Sequence, residues 1–239
     1  MAESSNRPLA VVIGVGPGLG TALARRFAER YAIALVARQA DYLERVTGEI
    51  KAAGGQAFPV PADVSDQAAL AAAFATIRSI ANPEILIYNA AMRPFGTLME
   101  TKSSTFENTW RVNAFGAFLA AKEVVPAMLE AGRGVILFTG ATAGTKPYPT
   151  SAAFGPAKFA MRGLAQVIAR DLGPQGIHVA YVNVDGPIDM PFIRQRMPNA
   201  QDQDLLKPSA IAETYWHLAH QDPSCWTHEI DVRPFKEKF

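Results

Sequence analysis

Cysteine is nearly absent from this 239-residue chain, which has Cys225 and no other. One cysteine cannot form an internal disulfide, and that points to a reducing compartment. An excess of either charge is missing too. Twenty-three Lys and Arg stand against 22 Asp and Glu, a formal net charge of +1. The basic residues are scattered, so nothing marks a nucleic-acid partner or an anionic membrane surface. The opening stretch Met1–Ala10 lacks the apolar core of a secretion signal. Uninterrupted apolar runs are of strand length, well short of the ~20 residues of a membrane-spanning helix. The expectation is a cytoplasmic protein with no membrane partner. Repeats, linkers and low-complexity tracts are also lacking, so residues 1–239 read as one domain.

What is present is an alternation. Short runs rich in Val and Ile occur at Leu9–Ile13, Ala32–Val36, Gln56–Val60, Glu84–Tyr88, Gly134–Thr139 and His178–Val184. Between them lie Ala-rich stretches at helical period: Leu19–Arg30, Asp41–Ala53, Gln67–Ile80, Ser103–Ala131 and Ser151–Leu172. The short runs are continuously apolar rather than alternating, as in strands buried on both faces of a parallel sheet. Strand–helix–strand alternation with right-handed crossovers gives an α/β, Rossmann-type doubly wound sheet of about seven strands with helices on both faces. Asp66 is placed to cap the helix after it, and Gly173-Pro174 to end another. The tail contains Pro187, Pro191 and Pro198, then a helix at Ala210–His220 and an edge strand at Thr227–Val232. Residues from about 186 to 207 are expected to cap a substrate cleft.

The sharpest local feature is Gly14-Val15-Gly16-Pro17-Gly18-Leu19-Gly20, between the first strand and the first helix. A strand–turn–helix setting makes a glycine motif credible. Glycines allow a tight turn, and the helix N-terminus offers N–H groups and a positive dipole end to a pyrophosphate. The pattern is Gly-x-x-x-Gly-x-Gly, not GxGxxG, and no Lys-Ser/Thr follows as in a P-loop. The second strand ends at Ala37-Arg38, where an NAD-preferring site usually has a carboxylate for the ribose 2′-OH. An Arg there can pair with a 2′-phosphate. NADP(H) is therefore expected over NAD(H), the alternative being that Arg38 is a solvated surface charge.

Three further motifs follow in order: Ala62-Asp63-Val64, Tyr88-Asn89-Ala90-Ala91 and Asn113-Ala114-Phe115-Gly116. With the glycine turn they resemble the short-chain dehydrogenase/reductase family of the classical type, from about Leu9 to Met190. The resemblance implies an oxidoreductase in which Asp63 and Val64 contact adenine and Asn89, Ala90 and Ala91 shape the sheet beside the cofactor. It implies that Gly186 to Ile188 meet the nicotinamide carboxamide, that Lys158 holds the nicotinamide ribose, and that Asn113 holds a water in a proton relay. It also implies a homodimer or homotetramer.

Two positions depart from that pattern. The family's catalytic Tyr lies four residues before the Lys, one helical turn away, where the Lys lowers its pKa. Here Ser151-Ala-Ala-Phe154-Gly-Pro-Ala-Lys158 places Phe154 there. The family's catalytic Ser falls on Ala141 in Thr139-Gly140-Ala141-Thr142-Ala143-Gly144, or on Thr142 or Gly140 if the alignment slips by one residue. The chain thus resembles a divergent subset lacking both hydroxyls, with Asn113 and Lys158 retained. Tyr148, Thr142 and Thr139 are candidate substitute donors, Tyr148 foremost, although it also reads as a cleft-wall aromatic.

Other features carry less. Glu213, His217 and His220 have metal-compatible spacing on one helix, but no further ligand supports them, and no metal is expected. Met190, Phe192 and Met197 suggest an apolar lid and an apolar small-molecule substrate, or simple loop packing. Trp110, Trp216 and Trp226 read as core or subunit-interface residues. Two functions remain open: an NADP(H)-dependent oxidoreductase of a carbonyl or activated C=C with a non-standard proton donor, or a catalytically silent NADP(H)-binding sensor or scaffold subunit.

Overall fold

The apolar runs become strands and the Ala-rich stretches become helices in a computed structural model that describes residues 7–237. Met1–Asn6, within the N-terminal stretch weighed above, lie outside the described residues. The strands are β1 (Leu9–Ile13), β2 (Ala32–Ala37), β3 (Gln56–Pro61), β4 (Pro83–Tyr88), β5 (Gly134–Thr139), β6 (Ile177–Val184) and β7 (Glu229–Val232). The helices are α1 (Leu19–Phe27), α2 (Ala40–Ala52), α3 (Gln67–Ile80), α4 (Ser103–Trp110), α5 (Gly116–Ala131), α6 (Phe154–Leu172), α7 (Pro191–Arg196) and α8 (Pro208–Ala219).

All seven strands are parallel, in the order β3-β2-β1-β4-β5-β6-β7. β1, β2 and β6 are buried at nearly every position, because helices cover both faces of the sheet. Alternate residues of each strand feed two cores. Val11, Ile13, Leu86 and Phe138 join the side of α3, α5 and α6, whereas Val12, Leu35, Ile87 and Val182 join the side of α1, α2 and α8. The order reverses between β1 and β4, and the crevice beyond the carboxyl ends of those strands is where such sheets bind ligands.

Several boundaries differ from the sequence expectation. α6 begins at Phe154, not Ser151, because the Ser151 hydroxyl bridges both backbone groups of Tyr148 instead of capping a helix. α1 ends at Phe27 rather than Arg30, and Tyr31 N–H closes back on the Phe27 carbonyl before β2. The long stretch Ser103–Ala131 is interrupted by a π-helical turn at Arg111–Phe115. That 29-residue stretch is long and apolar enough to cross a membrane by length and composition, a possibility that counting uninterrupted apolar runs overlooked. Its most apolar window is 44% buried, and Ala117, Leu119, Ala120 and Val124 pack into the core.

Candidate active site

The crevice is built first by backbone packing at the glycine turn. A Cβ on Gly20 would lie 2.3 Å from the Gly14 carbonyl oxygen, and one on Gly14 would lie 2.4 Å from Ala90 N. These two glycines let the turn, α1 and the end of β4 come into contact. Asn89 completes the joint, its Nδ2 donating to the Gly14 carbonyl at 3.0 Å. Gly18, at φ +115°, begins α1 with no side-chain cap and no acidic residue in the first turn. The helix start thus presents N–H donors without a side-chain acceptor, and open space surrounds the Cβ direction of Gly16. Pro17 is exposed, whereas the Leu19 side chain is in the core, so Leu19 offers only its backbone.

At the ends of β2 and β3, Arg38 is exposed. Asp63 accepts from Ser65 N–H at 2.9 Å and from its hydroxyl at 2.7 Å. Burial works to raise the Asp63 pKa, but the two Ser65 bonds and the Arg38 charge together hold it below the usual carboxylate range. Val64 packs its side chain into the core, leaving only its backbone for a ligand.

The π turn places Asn113. The wide turn leaves the Val112 carbonyl to a partner from outside the helix, and the buried Tyr88 hydroxyl donates to it. Asn113 is fully buried; its Nδ2 donates to the carbonyls of Met92 and Thr109, both at 2.9 Å. Its Oδ1 is buried without a hydrogen-bond partner among the described residues.

Lys158 lies in the first turns of α6, 2% exposed, with Nζ donating to the Thr139 carbonyl at 2.8 Å. Burial pushes its pKa down to about 7. The Phe154 ring is also buried, its centroid 5.6 Å from Lys158 Nζ. Of the three positions considered for a serine equivalent, Gly140 is ruled out. A side chain there would run into the Tyr181 ring, since its Cβ would lie 2.4 Å from Cζ. Ala141 is in extended backbone just before the 3₁₀ turn Thr142–Gly144, and Thr142 is half-buried. Thr139 is buried, and its hydroxyl oxygen accepts from the buried Tyr215 hydroxyl of α8 at 2.7 Å, which ties it to α8 while its own O–H stays uncommitted.

Tyr148 stands in the loop before α6, half-buried, with its hydroxyl accepting from Arg93 Nη2 at 3.1 Å and Nε at 3.3 Å. Arg93 itself lies with Cζ 5.8 Å from the Phe154 ring centroid. Arg93 and Tyr215 escaped the sequence reading, as did the part Tyr88 plays in holding the π turn. For Arg93 the signal was its place two residues after Ala91, on the loop that leaves β4 beside the crevice.

After β6, Gly186 and Ile188 are half-buried, and Ile188 pairs with Leu206 across the segment from 186 to 207. Met190 reaches the glycine turn, with Cβ and Cε each 3.4 Å from where a Gly18 Cβ would lie. The helical Glu213 and His220 are otherwise engaged: Glu213 with Arg26 at 2.6 Å, and His220 with the Tyr31 hydroxyl at 3.0 Å and the Trp216 carbonyl at 2.7 Å. Among the described residues no cluster of three metal-ligating side chains exists.

This sheet order and this crevice define the class of Rossmann-type doubly wound α/β folds, and comparison with known proteins narrows it. Residues 8–199 match the family described as short chain dehydrogenase, so the chain belongs to the short-chain dehydrogenase family. An inactive 2-(S)-hydroxypropyl-CoM dehydrogenase 2 of Xanthobacter autotrophicus is 38% identical over 151 residues, 63% of this chain and 64% of that relative's length. A short-chain dehydrogenase structure from Rhodopseudomonas palustris is 33% identical with a TM-score of 0.83, covering 97% of this chain and 100% of that one. A metagenomic short-chain oxidoreductase in complex with NADP is 28% identical with a TM-score of 0.84, covering 95% and 96%.

Proposed function

We propose that this protein is an NADP(H)-dependent oxidoreductase of a carbonyl or activated C=C substrate, working without the usual Ser and Tyr hydroxyls. The observation that carries this reading is the Asn113 Oδ1, buried and unpartnered beside the loop that leaves β4. Leaving such an acceptor unmet costs roughly 1–3 kcal/mol, and a protein that only held a cofactor would have no use for it.

The residues fit a nicotinamide dinucleotide. The uncapped start of α1, with Gly16 to Gly20, suits a pyrophosphate. Arg38 would meet a 2′-phosphate, with Asp63 and the Val64 backbone near the adenine. Asn89 to Ala91 would shape the sheet beside the cofactor, Gly186 and Ile188 would meet the nicotinamide carboxamide, and Lys158 would hold the nicotinamide ribose. When bound, the nicotinamide supplies or accepts the hydride. The chain's own residues exclude water and handle the proton. Phe154 keeps the end of α6 dry. Asn113 orders a water, and Tyr148, its oxygen engaged by Arg93, retains an O–H to give. The segment from 186 to 207 acts as the lid, with Met190 over the glycine turn. The protein works in the cytoplasm as a homo-oligomer on a small molecule.

A second reading is favoured by Ala141 and Phe154 and by the relative named inactive: a catalytically silent NADP(H)-binding sensor or scaffold subunit. The two are separated by screening turnover with NADPH and NADP⁺ on ketones, enones and alcohols, wild type beside Phe154→Tyr. Acid–base groups are worth about 10²–10⁴ in rate. The oxidoreductase reading expects slow wild-type turnover on one substrate class and a gain of about tenfold or more for ketones in F154Y, less than the full factor because Ala141 still lacks a hydroxyl. No turnover on any class by either protein would favour the silent binder.

A further inference from the structure

We propose that the substrate carries an anionic group, a carboxylate or phosphate, that is held by Arg93 at the mouth of the cleft with Arg196 of the lid beside it. The proposal rests on the oxidoreductase reading above and names its substrate class.

The loop that bears Arg93 is fixed in place. Asn113 Nδ2 holds the Met92 carbonyl just before it, and just after it Gly96 exchanges backbone bonds with Thr150 and Ala152, at 2.9 and 3.3 Å. The guanidinium thus held lies near the Phe154 ring, which Lys158 Nζ approaches at 5.6 Å. It lies 5.1 Å from the Phe95 ring, and Arg196 lies 4.4 Å from the same ring. Two guanidiniums therefore share one aromatic side chain, and neither has a carboxylate partner among the described residues. The contrast on α7 is direct. Arg194, two residues before Arg196, is bound at both ends, to Asp189 at 2.7 and 2.8 Å and to Asp202 at 2.7 Å.

Like charges gathered without a counterion are eased by an anion between them, and the planar guanidinium fork matches carboxylate or phosphate oxygens. Room for the rest of the molecule lies next to this point. A cavity of about 330 Å³ is lined by Phe95, Pro94, Lys102 and Ala153, the residue before Phe154. The carboxylate that lines it, Glu100, is already engaged by the N–H and hydroxyl of Thr97 at 2.9 and 2.8 Å. The substrate is thus amphipathic: an anionic head on the arginines and an apolar body against Pro94, Phe95 and Ala153.

The test measures binding of three probes to the NADPH-loaded full chain at low salt: 4-acetylbenzoate, its neutral amide and phenyl phosphate. At least one anion should bind tenfold or more tightly than the amide, and whichever anion is tighter identifies the head group. Arg93→Met should bring the anions to within about threefold of the amide, as befits loss of a charge-assisted bidentate contact, while NADPH affinity is unchanged. Arg196→Met should weaken the anions less. Equal affinity for anions and amide in the wild type overturns the proposal whatever the variants do, and so does an anion preference that survives in R93M. NADPH affinity is read separately. If the cofactor does not bind, the oxidoreductase reading fails, and the same probes on the unloaded protein still decide on the anion site.

Discussion

Lys158 shows what one residue costs the fold and why it is kept. Its ammonium is buried with one backbone acceptor, and burial lowers its pKa from 10.5 to about 7. Below pH 7 both folded and unfolded chains hold the proton, and the burial penalty is present in full. Between about 7 and 10.5 the unfolded chain binds a proton that the folded chain does not, so stability rises with pH across that window. Lys158→Met removes the titration. The melting temperature of K158M relative to wild type should therefore be highest near pH 6 and fall as the pH approaches about 9. Melts at several pH values check this, and a constant difference would deny the burial penalty. Phe154 belongs to the same scale. An apolar ring beside a desolvated amine leaves nothing for that amine to activate, and the proton route we propose runs through Asn113 and Tyr148 instead.

At the scale of elements, the π turn is the device that brings Asn113 to the crevice, and Tyr88 holds that turn to β4. Tyr88→Phe removes the donor to the Val112 carbonyl and should destabilise the protein by about 1–3 kcal/mol in urea unfolding. Turnover should fall further than stability accounts for, because Asn113 shifts with the turn. Much of this level is legible in the sequence. Continuous apolar runs located the strands to within a few residues, and Asp66 does cap α3, accepting from the N–H groups of Ala68 and Ala69. The π turn has no such signature, since Arg111–Phe115 is as good an α-helical sequence as its neighbours. The Ser151 bridge and the Arg93–Tyr148 contact were equally hidden, because each depends on loops that meet only when the sheet is assembled. The glycine turn was found, but the reason for two of its glycines was not. Gly14 and Gly20 answer to backbone contacts with Ala90 and with each other before any ligand is considered.

At the scale of the molecule, the outer faces of α4, α5 and α6 stay uncovered within one chain. Phe106, Trp110 and Phe118 are exposed along the first two, and Phe159 and Val167, the latter 65% exposed, along the third. Apolar side chains in that density suggest a second copy as their cover. Val167→Asp places a charge on this face without touching the core. It should shift the mass measured by light scattering after gel filtration from an oligomer to a single chain while leaving the circular dichroism spectrum intact. An unchanged oligomer would move the interface elsewhere, and a monomeric wild type would remove it.

We propose that the cofactor half of the site is whole and tuned to NADP(H), with Ala141 and Phe154 standing where the family's hydroxyls are expected. Fluorescence titration of the purified protein with NADPH and with NADH tests it most directly. Saturable binding with NADPH at least about tenfold tighter than NADH, a preference that Arg38→Ala abolishes, is the predicted result, since a charge-assisted contact to the 2′-phosphate is worth about that much. Absence of saturable binding, or equal affinity for the two dinucleotides, would contradict it.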